Sequence, residues 1–456
     1  MLTRLRVTSF KAWKDTGELR LAPLTVLFGA NSAGKTSIPQ LLLLLKQTAE
    51  SPDRQRALNL GDSRTLVDLG TYEDVLHGHA LSQPLTFSLG WRLPSARRIV
   101  DGVGGAAFTG DRLSFEATLE AHGKQPRVER MRYTLRQGDA PIADIAMTRT
   151  EPGFELESAL YPLERQPGRD APLPSPLRFY GFPDEVAAYY RNAGFTAELV
   201  LELERMLRSV HYVGPIREYP RRLYLWSGEV PEHVGVKGER AIEAILAGGA
   251  RTFAFSPDEP EKTLPEVIAE RLRDMGLISS FEARPLGENR KEHEVVVRTS
   301  PSLPEVKLTD VGFGVSQVLP VLVECFYVPA RSIVIFEQPE LHLHPRVQAD
   351  LADLFIDAIH AREDGAPREC QLIIESHSEH FLRRLQRRIA EEKIAKEDAA
   401  LYFVGQREGE AQIEELRVDE YGNIQNWPEG FFGDEMEDLV KRSEAQATRM
   451  QRGSGE

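Results

Sequence analysis

The period of the hydrophobic positions changes along the chain, and the changes mark its parts. Residues 3–13, TRLRVTSFKAW, alternate apolar and polar, as a strand with one buried face does. Residues 19–29, LRLAPLTVLFG, become nearly continuous in apolar character and run into a Gly-rich turn, which predicts a strand buried on both faces. A helix is predicted from about residue 35 to 47, with Pro39 in or just past its first turn, where a missing N–H does least harm. From residue 83 to 159, alternating runs such as PLTFSLGW, RLSFEATLEAH and RMRYTLRQG are broken by Gly, Pro and Asp, the pattern of an antiparallel β region. The Pro-rich stretch RQPGRDAPLPSP reads as a surface loop, followed by the helical stretches TAELVLELERMLRSV and GERAIEAILAGG and the strand EHEVVVRTS. After Leu308 come a Gly-rich turn, a helix, the strand SIVIFE, a second helix and the strand CQLIIES. That alternation predicts an α/β fold around a parallel sheet.

Composition narrows the setting. A chain of 456 residues is long enough for a large core and for two or three domains. A formal net charge of −14 argues against coating a nucleic acid through bulk electrostatics, and leaves room for a local basic groove. Cys325 and Cys370 are the only cysteines and lack metal-type spacing, which suits a reducing cytoplasm. The first residues have no apolar leader pattern, and the aliphatic run 41–45 is far too short to span a bilayer. A cytoplasmic protein with no membrane partner is expected.

The chemistry begins at residues 29–36, GANSAGKT, which match the P-loop pattern between a predicted strand and a predicted helix. In such a loop the backbone N–H groups of Asn31, Ser32, Ala33, Gly34 and Lys35 ring a β-phosphate at a helix N-terminus. The Lys35 ammonium neutralises β/γ oxygens and the Thr36 hydroxyl ligates Mg²⁺. Gly29, Ala30 and Ser37 complete the cradle. Such a site needs an acid at the end of another strand, and SIVIFE supplies Glu337. His377 lies just past CQLIIES, at the carboxyl end where α/β sheets gather ligands, and is a candidate γ-phosphate sensor. The turn GFGVSQ, with Gly312, Gly314, Ser316 and Gln317, precedes a helix and forms a second anion-binding N-terminus.

The P-loop, GFGVSQ, FEQPELHLHP and ESHSEH, in this order, resemble the ABC-class ATPase heads of the OLD-like and SMC-like superfamily. LVDLGTYEDVLHG, YVGPIREYPRRLY and VGVKGERAI resemble intervening segments of a bacterial branch, and YGNIQNWPEGFFGDEMEDL resembles a small C-terminal domain found there. The resemblance implies an ABC-class head with a P-loop core sheet, an antiparallel β lobe and a helical insertion. Its parts are residues 1–90 with the P-loop, 91–290 as β-rich lobe and helical insertion, 291–405 as the second half of the head, and 406–456 as a small C-terminal domain and polar tail. It also implies a homodimer in which two ATP molecules are sandwiched head to tail. Lys35 and Thr36 then bind phosphate and Mg²⁺, and Glu337 takes the Walker B metal-shell position. GFGVSQ takes the signature role in trans, His377 that of the switch histidine, and His344 the D-loop position. The Q-loop neighbourhood is TYEDVLHG. The branch lacks a long coiled coil, and no glutamate-then-DxD nuclease pattern follows His377. The acidic GDEMEDL (433–439) suits a solvated helix face better than a metal site.

Gln338 stands where the resemblance implies a catalytic glutamate. An amide takes no proton near neutral pH, which removes a contribution of about 10²- to 10⁴-fold and leaves positioning and charge in place. Three outcomes stay open. Gln338 orients water and turnover is slow, Glu340 swings in as the base, or the dimer holds ATP as a long-lived switch. Slow hydrolysis with ATP-stabilised dimerisation is the favoured expectation. Glu340, His342 and His344 alternate, so an extended segment would place them on one face, where they would chelate a metal or contact a second subunit. PIREYPRRLYLW mixes Arg with aromatics and is read either as a nucleic-acid contact or as Arg paired with acids. The functional expectation is therefore an ATP-driven dimeric switch in bacterial anti-phage defence or DNA maintenance, acting with a separate protein effector. A self-contained ATP-gated nucleic-acid-cleaving enzyme and an ATP-dependent assembly scaffold are the alternatives.

Overall fold

The computed structural model describes residues 1–100, 107–287, 290–407, 409–428, 440–443, 445 and 446. Its centre is a six-stranded sheet in the order Val210–Val213, Ile333–Glu337, Gln371–Glu375, Leu24–Gly29, Ala399–Arg407 and Glu410–Glu415. The first five strands are parallel and the last pairs antiparallel at the edge. Alternate residues of these strands feed two separate cores. Ile333, Ile335, Ile373 and Tyr402 join the first, with the helix Ser37–Glu50 and the β lobe. Val334, Phe336, Leu372 and Ile374 join the second, with the helices Phe313–Tyr327, Pro345–His360 and Glu379–Ala390. Covered on both faces, these strands read as continuous apolar runs rather than alternating ones.

The β lobe is an eight-stranded antiparallel sheet built from residues 2–20 and 85–157. The sequence 19–29 does not form one strand. Leu19–Arg20 pairs with Leu2–Phe10 in the lobe, and Leu24–Gly29 sits in the middle of the core sheet. Pro23, which has no N–H to offer a ladder, lies between the two strands. The buried amide of Gln371 ties the sheets at this joint, accepting from the Leu2 N–H and donating to the carbonyls of Leu2 and Ala22 at 2.8–2.9 Å.

The helix after the P-loop starts at Ser37 and runs to Glu50, placing Pro39 in its first turn. The boundary expected between residues 405 and 406 falls inside the hairpin Ala399–Arg407/Glu410–Glu415, which completes the core sheet beside the P-loop strand. Residues 433–439, GDEMEDL, lie outside the described residues. Among the described residues no helix is long and apolar enough to cross a membrane.

Candidate nucleotide site

The P-loop leaves the core sheet at Gly29, whose φ is 140°; a Cβ there would lie 1.9 Å from the Val404 carbonyl oxygen of the neighbouring strand. Only glycine fits that junction. The loop is pinned from both sides. The Trp13 indole N–H donates to the Gly34 carbonyl at 3.1 Å, and the Gln406 amide donates to the Ser32 carbonyl at 3.1 Å. Ala30, Asn31 and Ser32 are exposed, while Ala33, Lys35 and Ser37 are buried. The Lys35 ammonium donates to the carbonyls of Gly29 at 3.0 Å and Ala30 at 2.6 Å. Burial lowers its pKa, opposed by the charges of Glu375 and Glu340.

Parallel pairing brings a second acid to the site that the motif reading did not assign. Glu375 ends the strand between the P-loop strand and the Glu337 strand, in register with Leu27 on one side and Glu337 on the other. Its Oε1 accepts from the Thr36 hydroxyl at 3.1 Å, and its Oε2 is buried without a partner. Burial, reinforced by the charge of Glu337, pushes this carboxyl up to about 7 against the pull of the Thr36 bond and Lys35. Glu337 is partly exposed, and its Oε2 accepts from the Tyr212 hydroxyl at 2.6 Å. Tyr212 belongs to Val210–Val213, the strand next to Ile333–Glu337. Thr36, Glu375 and Glu337 together form a hard-oxygen donor set with one idle buried carboxylate oxygen. That set fits Mg²⁺, which takes one or two carboxylates and completes its shell with water and phosphate. Among the described residues no group of three or more His, Cys, Asp or Glu is arranged to hold a metal ion.

The segment after Glu337 turns instead of extending. Gln338 has φ 45° and His342 φ 63°, both in the left-handed region that ordinary side chains seldom adopt. The Gln338 N–H donates to the Glu375 carbonyl at 2.9 Å and its carbonyl accepts from the Leu341 N–H at 3.1 Å, closing the turn. The turn breaks the alternation of Glu340, His342 and His344. Glu340 is 7% exposed and its Oε1 accepts from the His377 backbone N–H at 2.6 Å, while both histidines are exposed. The three do not share a face, so the chelating arrangement expected of an extended segment does not form. His344 caps the helix Pro345–His360, accepting from the Arg346 N–H. Burial raises the Glu340 pKa against that His377 bond. The half-buried His377 ring bonds the Gly29 backbone, and burial, then the Lys35 charge, lowers its pKa.

The signature segment differs from expectation in what it presents. Gly312 is exposed and Gly314 partly so, whereas Ser316 and Gln317 are 7% and 3% exposed. The Ser316 hydroxyl donates to the Phe313 carbonyl at 2.7 Å. The exposed part of this turn is therefore Gly312, Phe313 and Gly314 rather than the serine and glutamine side chains. The Phe313 ring, 40% exposed, lies 5.6 Å from that of Tyr219 and 5.4 Å from that of His342. In the Arg-rich stretch, Arg222 pairs with Asp310 at 2.9 Å, Arg221 pairs with Glu218, and Arg217 is buried. Arg221 and Arg222 thus follow the acid-paired reading of that stretch, and Arg217 does not.

Residues 252–383 match the family model described as "AAA domain, putative AbiEii toxin, Type IV TA system", and residues 394–441 match "Protein of unknown function (DUF3696)". The first match takes in the signature segment, the Glu337 strand and His377; the P-loop lies outside it. No match was found among the curated proteins. Similar solved structures include an SMC head bound to the C-winged helix domain of ScpA, at 10% identity and TM-score 0.42 over 92% of this chain and 98% of that one. Another is the SMC head domain from Thermotoga maritima, at 10% identity and TM-score 0.41 over 91% and 99%. A third is an SMC head domain with an extended coiled coil bound to the C-terminal domain of ScpA derived from Pyrococcus furiosus, at 10% identity and TM-score 0.39 over 91% and 96%. The match over 252–383, with a P-loop strand at the middle of a parallel sheet and acids ending the adjacent strand and the one beyond it, describes an α/β fold of the AAA-type ATPase kind. It is a nucleotide-binding ATPase fold.

Proposed function

We propose that the protein binds ATP with Mg²⁺, hydrolyses it slowly, and uses the bound nucleotide to hold two copies together as a switch. The observation that carries this reading is the Thr36–Glu375 hydrogen bond, which joins the P-loop to an acid cluster. Phosphate-binding and cation-binding groups thereby meet at the carboxyl ends of adjacent parallel strands. The backbone N–H groups of the exposed residues Asn31 and Ser32, with the Lys35 ammonium, bind the phosphates. Thr36, Glu375 and Glu337 hold the cation, which when bound neutralises charge on the transferring phosphate. The Gln338 amide orients the attacking water without taking its proton, which makes turnover slow. Glu340 is engaged by the His377 N–H, an arrangement that supports a positioning part rather than a swinging base.

The exposed rings of Tyr219, Phe313 and His342 at the signature turn support a second copy as the partner across the nucleotide. For the biological setting we propose bacterial defence or DNA maintenance beside a separate protein effector, supported by the toxin–antitoxin wording of the matched model. The test is the molar mass of wild type and Lys35→Ala by light scattering, with ATP·Mg²⁺ or ADP·Mg²⁺, alongside phosphate release. A dimer formed by wild type with ATP alone is expected. Wild type that stays monomeric at saturating ATP sinks the switch.

A further inference from the structure

Two buried cations flank the acid cluster, and Lys35 is only one of them. Arg217 is 5% exposed, and its Nη1 donates to the Pro215 carbonyl at 2.8 Å. Its Nε and Nη2 are buried without partners, and it makes no ion pair among the described residues. A guanidinium stripped of water with two idle donor positions is unfavourable unless an anion meets them. The chain places it at the site. Val213 pairs with Phe336 in the core sheet, Tyr212 holds Glu337, and Arg217 follows in the loop that leaves this strand. Glu340 and Glu337 lie close enough to act on its charge, and the same Glu340 acts on Lys35. Burial lowers its pKa to about 10, so it stays cationic at neutral pH. Across the strand ends the order is therefore Lys35 in the P-loop, Glu375, Glu337, then Arg217.

We propose that Arg217 is a ligand for the terminal phosphate of a bound nucleoside triphosphate, and that it lets this head distinguish ATP from ADP. The inference rests on the ATP-site reading above. The P-loop backbone and Lys35 embrace the β-phosphate, common to both nucleotides. Arg217 stands three strands along the same row of strand ends, and its planar fork would suit two oxygens of the next phosphate. The same loop carries Ile216 and Tyr219, 72% and 73% exposed, and the Tyr219 ring rests near Phe313 of the signature turn. The loop that carries Arg217 thus also carries the exposed rings that the proposed function assigns to the second copy.

The experiment is equilibrium binding of a non-hydrolysable ATP analogue and of ADP, each with Mg²⁺, to wild type, Arg217→Lys and Arg217→Met, with thermal melting of each. Arg217→Met should weaken the triphosphate roughly 10- to 100-fold, the scale of lost hydrogen bonds to a charged group, and leave ADP within about twofold. Arg217→Lys should fall between, because an ammonium keeps the charge and loses the fork. If Arg217→Met fails to fold, Arg217→Lys decides alone through the same ratio. Equal weakening of both nucleotides, or no weakening of either, overturns the proposal and leaves the ATP site standing. Wild type that binds neither nucleotide overturns the ATP site itself, and this proposal with it.

Discussion

Glu337 and Glu375 stand opposite each other at the ends of adjacent parallel strands, yet their carboxylates answer to different partners. The Tyr212 hydroxyl holds Glu337 at 2.6 Å, and the Thr36 hydroxyl reaches Glu375 at 3.1 Å. Two acids this close repel when both ionise, which is part of why Glu375 is pushed up to about 7. A divalent cation would relieve that repulsion, which adds an electrostatic argument to the cation role proposed for the pair.

Glu375→Gln keeps the shape and removes the charge beside Thr36. The concentration of Mg²⁺ needed for nucleotide binding should rise about 10- to 100-fold, the usual effect of losing a group that supports a metal site. Tyr212→Phe, which only frees Glu337, should move the same titration less. Identical midpoints for wild type and Glu375→Gln would put the cation elsewhere.

Gln338→Glu restores a proton acceptor at a turn whose backbone already holds a non-glycine residue at φ 45°. Phosphate release at saturating ATP should increase by up to about 10²-fold, the lower end of what a general base contributes. The ATP-bound dimer should also become shorter-lived. An unchanged rate would mean that proton transfer at this position does not limit turnover.

Phe313 is 40% exposed and touches Tyr219 and His342. Phe313→Asp should abolish ATP-dependent dimerisation while shifting monomer stability by no more than about 0.5 kcal/mol, as partly exposed surface changes do. Sedimentation with ATP and a melting curve separate the two effects. A dimer that survives the substitution moves the interface off this patch.

Glu324 lies mid-helix with no exposure; its Oε2 accepts from the Val234 N–H and its Oε1 has no partner. Burial lifts this carboxyl to about 8 from an ordinary 4.5. Between those values the folded chain holds a proton that the unfolded chain has released. The stabilisation from neutral Glu324 is thus full below pH 4.5 and is lost as pH rises through 8. Glu324→Gln should melt progressively higher than wild type between about pH 5 and about pH 8.5, and a constant difference would contradict the assignment.

What the sequence makes legible follows from how far apart the cooperating residues lie. Residues 24–37 carry a strand, a Gly-rich turn and a helix in one unbroken run, and the pattern of each survives folding intact. Glu375 ends its strand just as Glu337 does, but its bond to Thr36 depends on strand order, which periodicity does not encode. Arg217 sits among exposed Arg and Tyr, and only packing distinguishes a buried guanidinium from its solvated neighbours. The alternation of Glu340, His342 and His344 predicts an extended face, and the turn from Gln338 to His342 overrides it. Ala399–Arg407 carries no motif at all, and its place beside the P-loop strand is a tertiary fact.

The P-loop strand has one further property, visible when the chain is followed in time. Leu24 finds its neighbours at Leu372 and Ala399, and both edges of its strand are closed by segments from the far end of the polypeptide. A ribosome delivers the phosphate-binding loop first and its supporting walls last. A premature stop before Ala399 would leave every P-loop residue present and remove one of the two strands that flank the loop's own strand.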